Sequence, residues 1–208
     1  MIRVLLADDH TLVREGLRQL LGATTDIRVE GEAANGDEAL ARVKANDYDL
    51  AVLDMSMPGL SGIELIKRLR LEKPRLRLLV LSMHAEQQYA LRALKAGAAG
   101  YLTKDSAAAQ LASVIRKVAA GGVHISDAAA AQLMGSTNNG DALPHTRLSN
   151  REFEVFRLLV AGQSPTDIAD QLHLSVKTVS THKTHILEKM RMESTADLVR
   201  YAVENKLS

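Results

Sequence analysis

The chain has no cysteine in its 208 residues. That excludes a disulfide framework and any thiolate metal site, and it suits a reducing compartment. Long hydrophobic runs are missing too. No stretch approaches the roughly 18 apolar residues that a membrane helix needs. The opening Met1-Ile2-Arg3-Val4-Leu5-Leu6-Ala7 is apolar only briefly before Asp8-Asp9, which fits neither a signal peptide nor a span. The expectation is a cytoplasmic protein with no membrane attachment. An excess of one charge is also lacking: 26 Lys and Arg stand against 25 Asp and Glu, a net +1. Bulk charge therefore does not advertise nucleic acid, and charge has to be read locally. This length holds one large domain or two small ones.

What is present is a set of short apolar runs that end in polar side chains. Leu50-Ala51-Val52-Leu53 runs straight into Asp54, with a turn at Met57-Pro58-Gly59. The run is short and bounded by turn residues, as in a strand buried on both faces of a parallel sheet. Asp54 then stands at the strand's carboxyl end, where open α/β sheets place their crevice. Ile2 to Ala7 ends in Asp8-Asp9, Leu76 to Leu81 in Ser82, and Gly100-Tyr101-Leu102-Thr103 in Lys104. A weaker strand covers Val29 to Ala33. Helical spacing follows each run, over Leu12–Leu21, Gly36–Val43, Ile63–Leu69, Tyr89–Ala96 and Leu111–Val118. Five strand–helix pairs predict an α/β domain over residues 1–120, a doubly wound five-stranded parallel sheet with right-handed crossovers.

That fold delivers Asp8, Asp9, Asp54, Ser82 and Lys104 to one edge of the sheet. Taken singly, each has a plain structural reading: Asp8-Asp9 as a helix cap, Asp54 as a solvated turn residue. Taken together they are more specific. Three close carboxylates do not all stay ionised without a cation. No His or Cys joins them with ligand spacing, and oxygen ligands select a hard ion such as Mg2+. A carboxylate beside Mg2+, with an ammonium and a hydroxyl near, is equipped to accept a phosphoryl group.

Residues 121–146 hold two acids and no Lys or Arg. Ser126 to Met134 has the composition of a short helix, and Gly135 to Gly140 is turn-forming and polar; the segment reads as a flexible linker. From Leu148 the period is purely helical. Ser149 and Glu152 form a capping box, and Phe153, Phe156, Leu158, Leu159 and Val160 give an apolar side up to Gly162. Ser164-Pro165 opens a short helix, Ser175 caps another from Val176 to Met190, and Ser194 starts the last one. Two short helices joined by a tight turn are the helix-turn-helix arrangement, whose second helix enters the DNA major groove. On that helix Val176, Val179, Ile186, Leu187 and Met190 share one side; Lys177, Ser180, Thr181, Thr184 and Glu188 share the other. From His173 to Arg191, four cations against Glu188 leave +3, a patch suited to phosphates. A solvated helix face or a protein-binding module fits the same pattern.

Ala7-Asp8-Asp9-His10, Asp54-Met55-Ser56-Met57-Pro58-Gly59, Leu81-Ser82 and Gly100-Tyr101-Leu102-Thr103-Lys104 resemble the receiver domain of two-component response regulators. The resemblance implies a flavodoxin-like fold with Asp54 as phosphoacceptor. It implies Mg2+ ligated by Asp9, Asp54 and the Ser56 carbonyl, with Asp8 acting through water. Ser82 then binds the phosphoryl oxygens, Lys104 pairs with them, and Tyr101 is the aromatic switch. Leu148-Ser149-Asn150-Arg151-Glu152, Gly162-Gln163-Ser164, Asp167-Ile168-Ala169 and Leu174 through His182 resemble the LuxR-type DNA-binding domain, here residues 147–208. This implies DNA contacts from Lys177, Thr178, Ser180, Thr181, His182, Lys183 and Thr184, and a dimer contact on the last helix around Leu198 to Val203. Ser180 stands where many members carry Lys.

The whole chain resembles the NarL/FixJ class. The implied function is a DNA-binding transcription regulator, not an enzyme, that accepts phosphoryl from a sensor histidine kinase on Asp54 and binds its operator as a homodimer. Two alternatives remain at this stage. One is a Mg2+-dependent aspartyl-phosphate enzyme, against which Ser56 stands where a second acid would be. The other is a phosphorylation-independent regulator. Ser56 and His84 are placed at the rim of the crevice, and a small Ser56 implies intrinsic dephosphorylation.

Overall fold

The five apolar runs become five strands: β1 (Ile2–Ala7), β2 (Ile27–Ala33), β3 (Leu50–Asp54), β4 (Arg77–Ser82) and β5 (Gly100–Thr103). All pair in parallel, in the order β2-β1-β3-β4-β5. The helices between and after them are α1 (Thr11–Gly22), α2 (Gly36–Ala45), α3 (Gly62–Glu72), α4 (Gln87–Ala96) and α5 (Lys104–Ala119). The computed structural model describes residues 1–57, 60, 62–82, 87–126, 130, 143–172, 174–205 and 207. The chain divides into two compact units, Met1–Met134 and Gly135–Ser208.

Alternation along the strands sends side chains to both faces. Val4, Leu6, Val52, Leu79 and Leu81 pack with Leu17 and Leu21 of α1 and with Leu111, Val114, Ile115 and Val118 of α5. Leu5, Ala51, Leu53, Leu78 and Val80 alternate with them and are equally buried. The apolar sides of α2 and α3, Ala39, Val43, Ile63, Leu65, Ile66 and Leu69, are buried as well. β3 is central, and every one of its residues is buried. The chain winds from β1 outward to β2, then back past β1 to β3, so the strand order reverses there. At such a switch point the carboxyl ends of neighbouring strands open a crevice. β1 and β3 bring Asp8-Asp9 and Asp54 to it.

The structure extends and corrects parts of the sequence reading. β2 begins two residues before Val29, because Arg28 and Glu30 are exposed on an edge strand and dilute its apolar pattern. Lys104 is the first residue of α5, not the end of β5; Thr103 caps that helix by accepting from the Ser106 N–H. The segment expected as the start of a flexible linker is instead tied to the sheet. Gly121 turns with a positive φ of 97°, and the chain returns along the free edge of β5. The Tyr101 N–H donates to the His124 carbonyl at 2.8 Å, and the His124 N–H donates to the Ala99 carbonyl at 3.1 Å. The expected helix over 126–134 and the Gly135–Gly140 stretch lie almost wholly outside the described residues, as do Pro58, Gly59, His84 and His173.

In the second unit a 3-10 turn (Pro144–Arg147) precedes α6 (Asn150–Val160), α7 (Pro165–Leu172), α8 (Val176–Met190) and α9 (Thr195–Glu204). Phe153, Phe156, Leu159, Ile168, Val179, Ile186, Met190, Leu198 and Ala202 form its core. Two expected faces are corrected. Val176, in the first turn of α8, is exposed and does not join the apolar side. Leu198 is fully buried, so the outward apolar residues of α9 are Val199 and Val203. No helix among the described residues is long and apolar enough to cross a membrane.

Glu152 ties α6 to α8. Its carboxylate accepts from the Ser149 N–H at 2.7 Å, closing the capping box, and Lys189 donates to both of its oxygens at 2.8 and 2.7 Å. Burial works to raise this carboxyl's pKa, but the bonds from Lys189 and Ser149 outweigh it and hold the group below the ordinary value. A depressed pKa stabilises the fold above the unfolded-state value, about 4.3, and that stability is lost as pH falls through the folded-state value. Glu152→Gln should therefore weaken the second unit at pH 7 by about 1–2 kcal/mol, counting one lost charged bond, with the half-exposed Lys189 discounted for screening. The gap to wild type should close below about pH 4. Urea unfolding followed by circular dichroism at both pH values checks this; equal midpoints at pH 7 would contradict it.

Candidate functional site

The acid residues converge as the strand ends require. Asp8 and Asp54 are nearly inaccessible, at 2% and 3% exposure. Between them comes the ammonium of Lys104, 2.7 Å from Asp8 Oδ2 and 3.1 Å from Asp54 Oδ2. Its helix starts right after β5, so the side chain reaches back over the sheet edge. Asp9 is less buried and meets His10, whose Nδ1 is 2.9 Å from Asp9 Oδ1 and 3.3 Å from Asp8 Oδ1. The His10 backbone N–H donates to Asp8 Oδ1 at 2.8 Å. One ligand atom from each of Asp8, Asp9, His10 and Asp54 lies within 4.8 Å of the others. His10 corrects the expectation that no histidine joins the cluster. The signal for it was its place next to the acid pair, at the N-cap of α1.

The electrostatics follow from burial and proximity. Burial pushes the Asp54 carboxyl above its usual value; Lys104 opposes the shift, and Asp8 and Asp9 add to it. For Lys104 burial works downward, but the hydrogen bond to Asp8 and the charges of Asp54 and Asp8 win, and its pKa rises. The ammonium thus stays charged, one cation facing three carboxylates. Among the described residues, the buried Asp8 Oδ2, Asp9 Oδ1 and Asp54 Oδ2 make no regular hydrogen bond beyond these ion pairs. An oxygen-rich, underneutralised donor set of this kind fits a hard divalent cation.

The other expected site residues take their places from sheet register. Asp54 pairs with Leu81 across β3 and β4, which puts the buried Ser82 one residue further along the same edge. Tyr101 pairs with Val80 and is buried. Ser56, two residues past Asp54, is exposed.

In the second unit Lys177, Ser180, Thr181 and Thr184 share the exposed face of α8. The hydroxyls of Ser180, Thr181 and Thr184 donate back to the carbonyls of Val176, Lys177 and Ser180 at 2.9, 3.0 and 3.2 Å. Their lone pairs are what they offer outward. Thr178 is half-buried, its hydroxyl 2.8 Å from that of Ser175 at the helix cap, and Lys183 is half-buried as well. His182 departs from the expected set. Its Nδ1 is buried and makes no hydrogen bond among the described residues. Burial, then the Arg151 charge, pushes its pKa below the usual histidine value. A neutral ring brings no positive charge to a phosphate. Lys189 is likewise spent on Glu152, so the expected +3 patch relies on Lys177, Lys183 and Arg191.

Known proteins share both halves of this arrangement. The response regulator receiver domain family matches residues 4–116, and the luxR family of bacterial regulatory proteins matches residues 146–202. The chain is 34% identical over 209 residues to the response regulator UvrY of Escherichia coli K12, covering 100% of this chain and 96% of UvrY. It is 35% identical over 214 residues to the oxygen regulatory protein NreC of Staphylococcus carnosus, covering 99% of each. RcsB from Salmonella enterica serovar Typhimurium, solved on promoter DNA in the presence of the phosphomimetic BeF3−, matches with a TM-score of 0.71 at 28% identity, over 96% of this chain and 97% of RcsB. The chain belongs to the NarL/FixJ class of two-component response regulators, transcription regulators rather than enzymes, in which a receiver domain of five parallel strands precedes a LuxR-type helix-turn-helix domain.

Proposed function

We propose that this regulator is switched by phosphorylation of Asp54, with a sensor histidine kinase as donor, and that the phosphorylated form binds its operator through α8 as a homodimer. The observation that carries the reading is the buried pair Asp8 and Asp54 held on either side of Lys104. Asp54 is the nucleophile: its oxygen bonds to phosphorus as the P–N bond of the kinase phosphohistidine breaks and the imidazole leaves. Asp9, Asp54 and the Ser56 carbonyl would hold Mg2+, with Asp8 acting through water, and the ion would supply neutralisation of the phosphoryl oxygens. Lys104 already contacts an Asp54 oxygen, so its ammonium can follow the charge onto the phosphoryl group. Ser82, on the neighbouring strand, donates its hydroxyl to another phosphoryl oxygen, and Tyr101 on β5 is the aromatic switch.

Ser56 is exposed and small, which leaves the rim open to the water that hydrolyses an acyl phosphate; dephosphorylation is then intrinsic to the receiver. On DNA, Lys177 lies in the first turn of α8, where the helix dipole adds to its attraction for phosphate. Ser180, Thr181 and Thr184 face the groove beside it, with Lys183 at the margin. On α9 the exposed Val199 and Val203, one turn apart, offer an apolar patch for a second copy. RcsB, bound to promoter DNA with a phosphomimetic, supports this coupling of receiver and DNA.

Two experiments test the reading. Acetyl phosphate with Mg2+ should label the wild-type chain once and leave Asp54→Asn unlabelled, and chelator should abolish labelling. Label persisting on Asp54→Asn would contradict the acceptor assignment. Lys177→Ala should weaken DNA binding and flatten the log–log salt dependence by about one unit, the value of a lost phosphate contact. An unchanged slope and affinity would mean that α8 presents another face.

A further inference from the structure

The acid cluster is supported from outside by the N-terminus of α2. The segment that leaves Asp54 is anchored by the buried Met57 side chain, and α3 begins at Gly62 with φ 56°. Between them the peptide of Leu60 lies against Gly36, the first residue of α2. A Cβ built on Gly36 would stand 1.4 Å from the Leu60 carbonyl oxygen and 2.6 Å from its carbon. Gly36 is buried and not left-handed, so glycine is needed here for space and not for conformation. Among the described glycines the next closest approach to backbone is 2.9 Å, at Gly122; Gly16 and Gly22 meet nothing within 4 Å. The adjacent Asp37 carboxylate lies 3.5 Å from the Leu60 N–H. Gly36 and Asp37 thus meet the carbonyl and the N–H of the same residue, Leu60.

The two sides of this contact differ in how far they can give. α2 is held by the Asn35 cap, whose side chain accepts from the Glu38 N–H, and by the buried Ala39 and Val43. Asp54 is held by β3, which is paired on both sides. Met55, Ser56 and Met57, which follow β3, belong to no strand of the sheet. We infer that Gly36, assisted by Asp37, is a positioning residue for the phosphoacceptor site: its bare Cα leaves room for the Leu60 backbone, four residues past Ser56, so that the Ser56 carbonyl is presented to the cation. This rests on the reading that Asp54 and the Ser56 carbonyl hold Mg2+. A side chain at residue 36 displaces the Leu60 peptide and with it the Ser56 carbonyl, while the Asp54 carboxylate stays in place. The loss then falls on cation affinity and not on the nucleophile.

The test separates those quantities. Mg2+ binding to the full-length chain is measured by calorimetry, and the acetyl phosphate labelling rate is measured against Mg2+ concentration, for wild type, Gly36→Ala, Asp37→Asn and Gly16→Ala. Gly36→Ala should raise the Mg2+ dissociation constant and the half-saturating Mg2+ about tenfold, the scale for losing support behind a metal ligand. Its labelling rate at saturating Mg2+ should return close to wild type. Asp37→Asn should shift the same two quantities in the same direction by less, and Gly16→Ala should match wild type. A purely structural role lowers the labelled fraction at every Mg2+ concentration and leaves half-saturation unmoved; that result overturns the inference. If Gly36→Ala does not fold, Asp37→Asn decides, and an unmoved half-saturation there overturns it equally. Wild-type protein that takes no Mg2+ removes the underlying reading and the inference with it. Wild-type protein that binds Mg2+ normally, beside unmoved variants, removes the inference alone.

Discussion

One ammonium between two buried carboxylates is the constraint that the receiver is built around. Asp8 and Asp54 lie at the ends of adjacent parallel strands, and burying either charge unpaired would be costly. Lys104 relieves both at once, from a helix that begins directly after β5. The pairing is incomplete: the turn after β1 carries a second acid, Asp9, with which Lys104 makes no ion pair among the described residues. The remaining deficit is what makes the pocket receptive to a cation and, on the proposed reading, to a phosphoryl group arriving with it. Strand order matters as much as residue type. Reversal of the winding between β2 and β3 opens the edge at which these side chains meet.

The same economy of contacts appears in the DNA-binding unit. Glu152 serves the N-terminus of α6 and the C-terminal turn of α8 together, so the recognition helix is fixed at the end away from Lys177. His182 packs inward on the same side. The outward face of α8 is left with short hydroxyl side chains whose donors are satisfied within the helix and with one exposed cation in its first turn. On the proposed reading, such a face offers DNA acceptor lone pairs and little positive charge. That accords with a chain whose overall charge is nearly balanced.

How much of this was legible in the sequence depended on the kind of contact. Where an apolar run stops at a polar residue, the strand stops too, so Asp8, Asp9, Asp54 and Ser82 could be placed at the sheet edge from their spacing alone. Capping residues announced α6, α8 and α9 for the same reason: the signal is local. Contacts made through backbone carried no side-chain signature. The return of His124 onto β5 involves only N–H and carbonyl groups, and a polar, turn-rich segment looked like free linker. Gly36 was read as an ordinary helix start, because a sequence does not reveal that the missing side chain makes room for a distant peptide. Helical periodicity also misassigned one residue. Val176 is apolar in phase but lies in the first turn and is exposed. Lys189 counted as free charge until Glu152, 37 residues earlier, was found beside it.

On the proposed reading, the charge state of the Asp54 pocket governs DNA affinity. The direct measurement is DNA binding by fluorescence anisotropy, on duplexes selected by the chain itself from a random pool, with and without BeF3− in excess Mg2+, for wild type and Asp54→Asn. BeF3− should tighten wild-type binding by about tenfold, within the usual range of coupling between two sites, and leave Asp54→Asn at its basal affinity. Equal tightening in both proteins, or none in wild type, would contradict it.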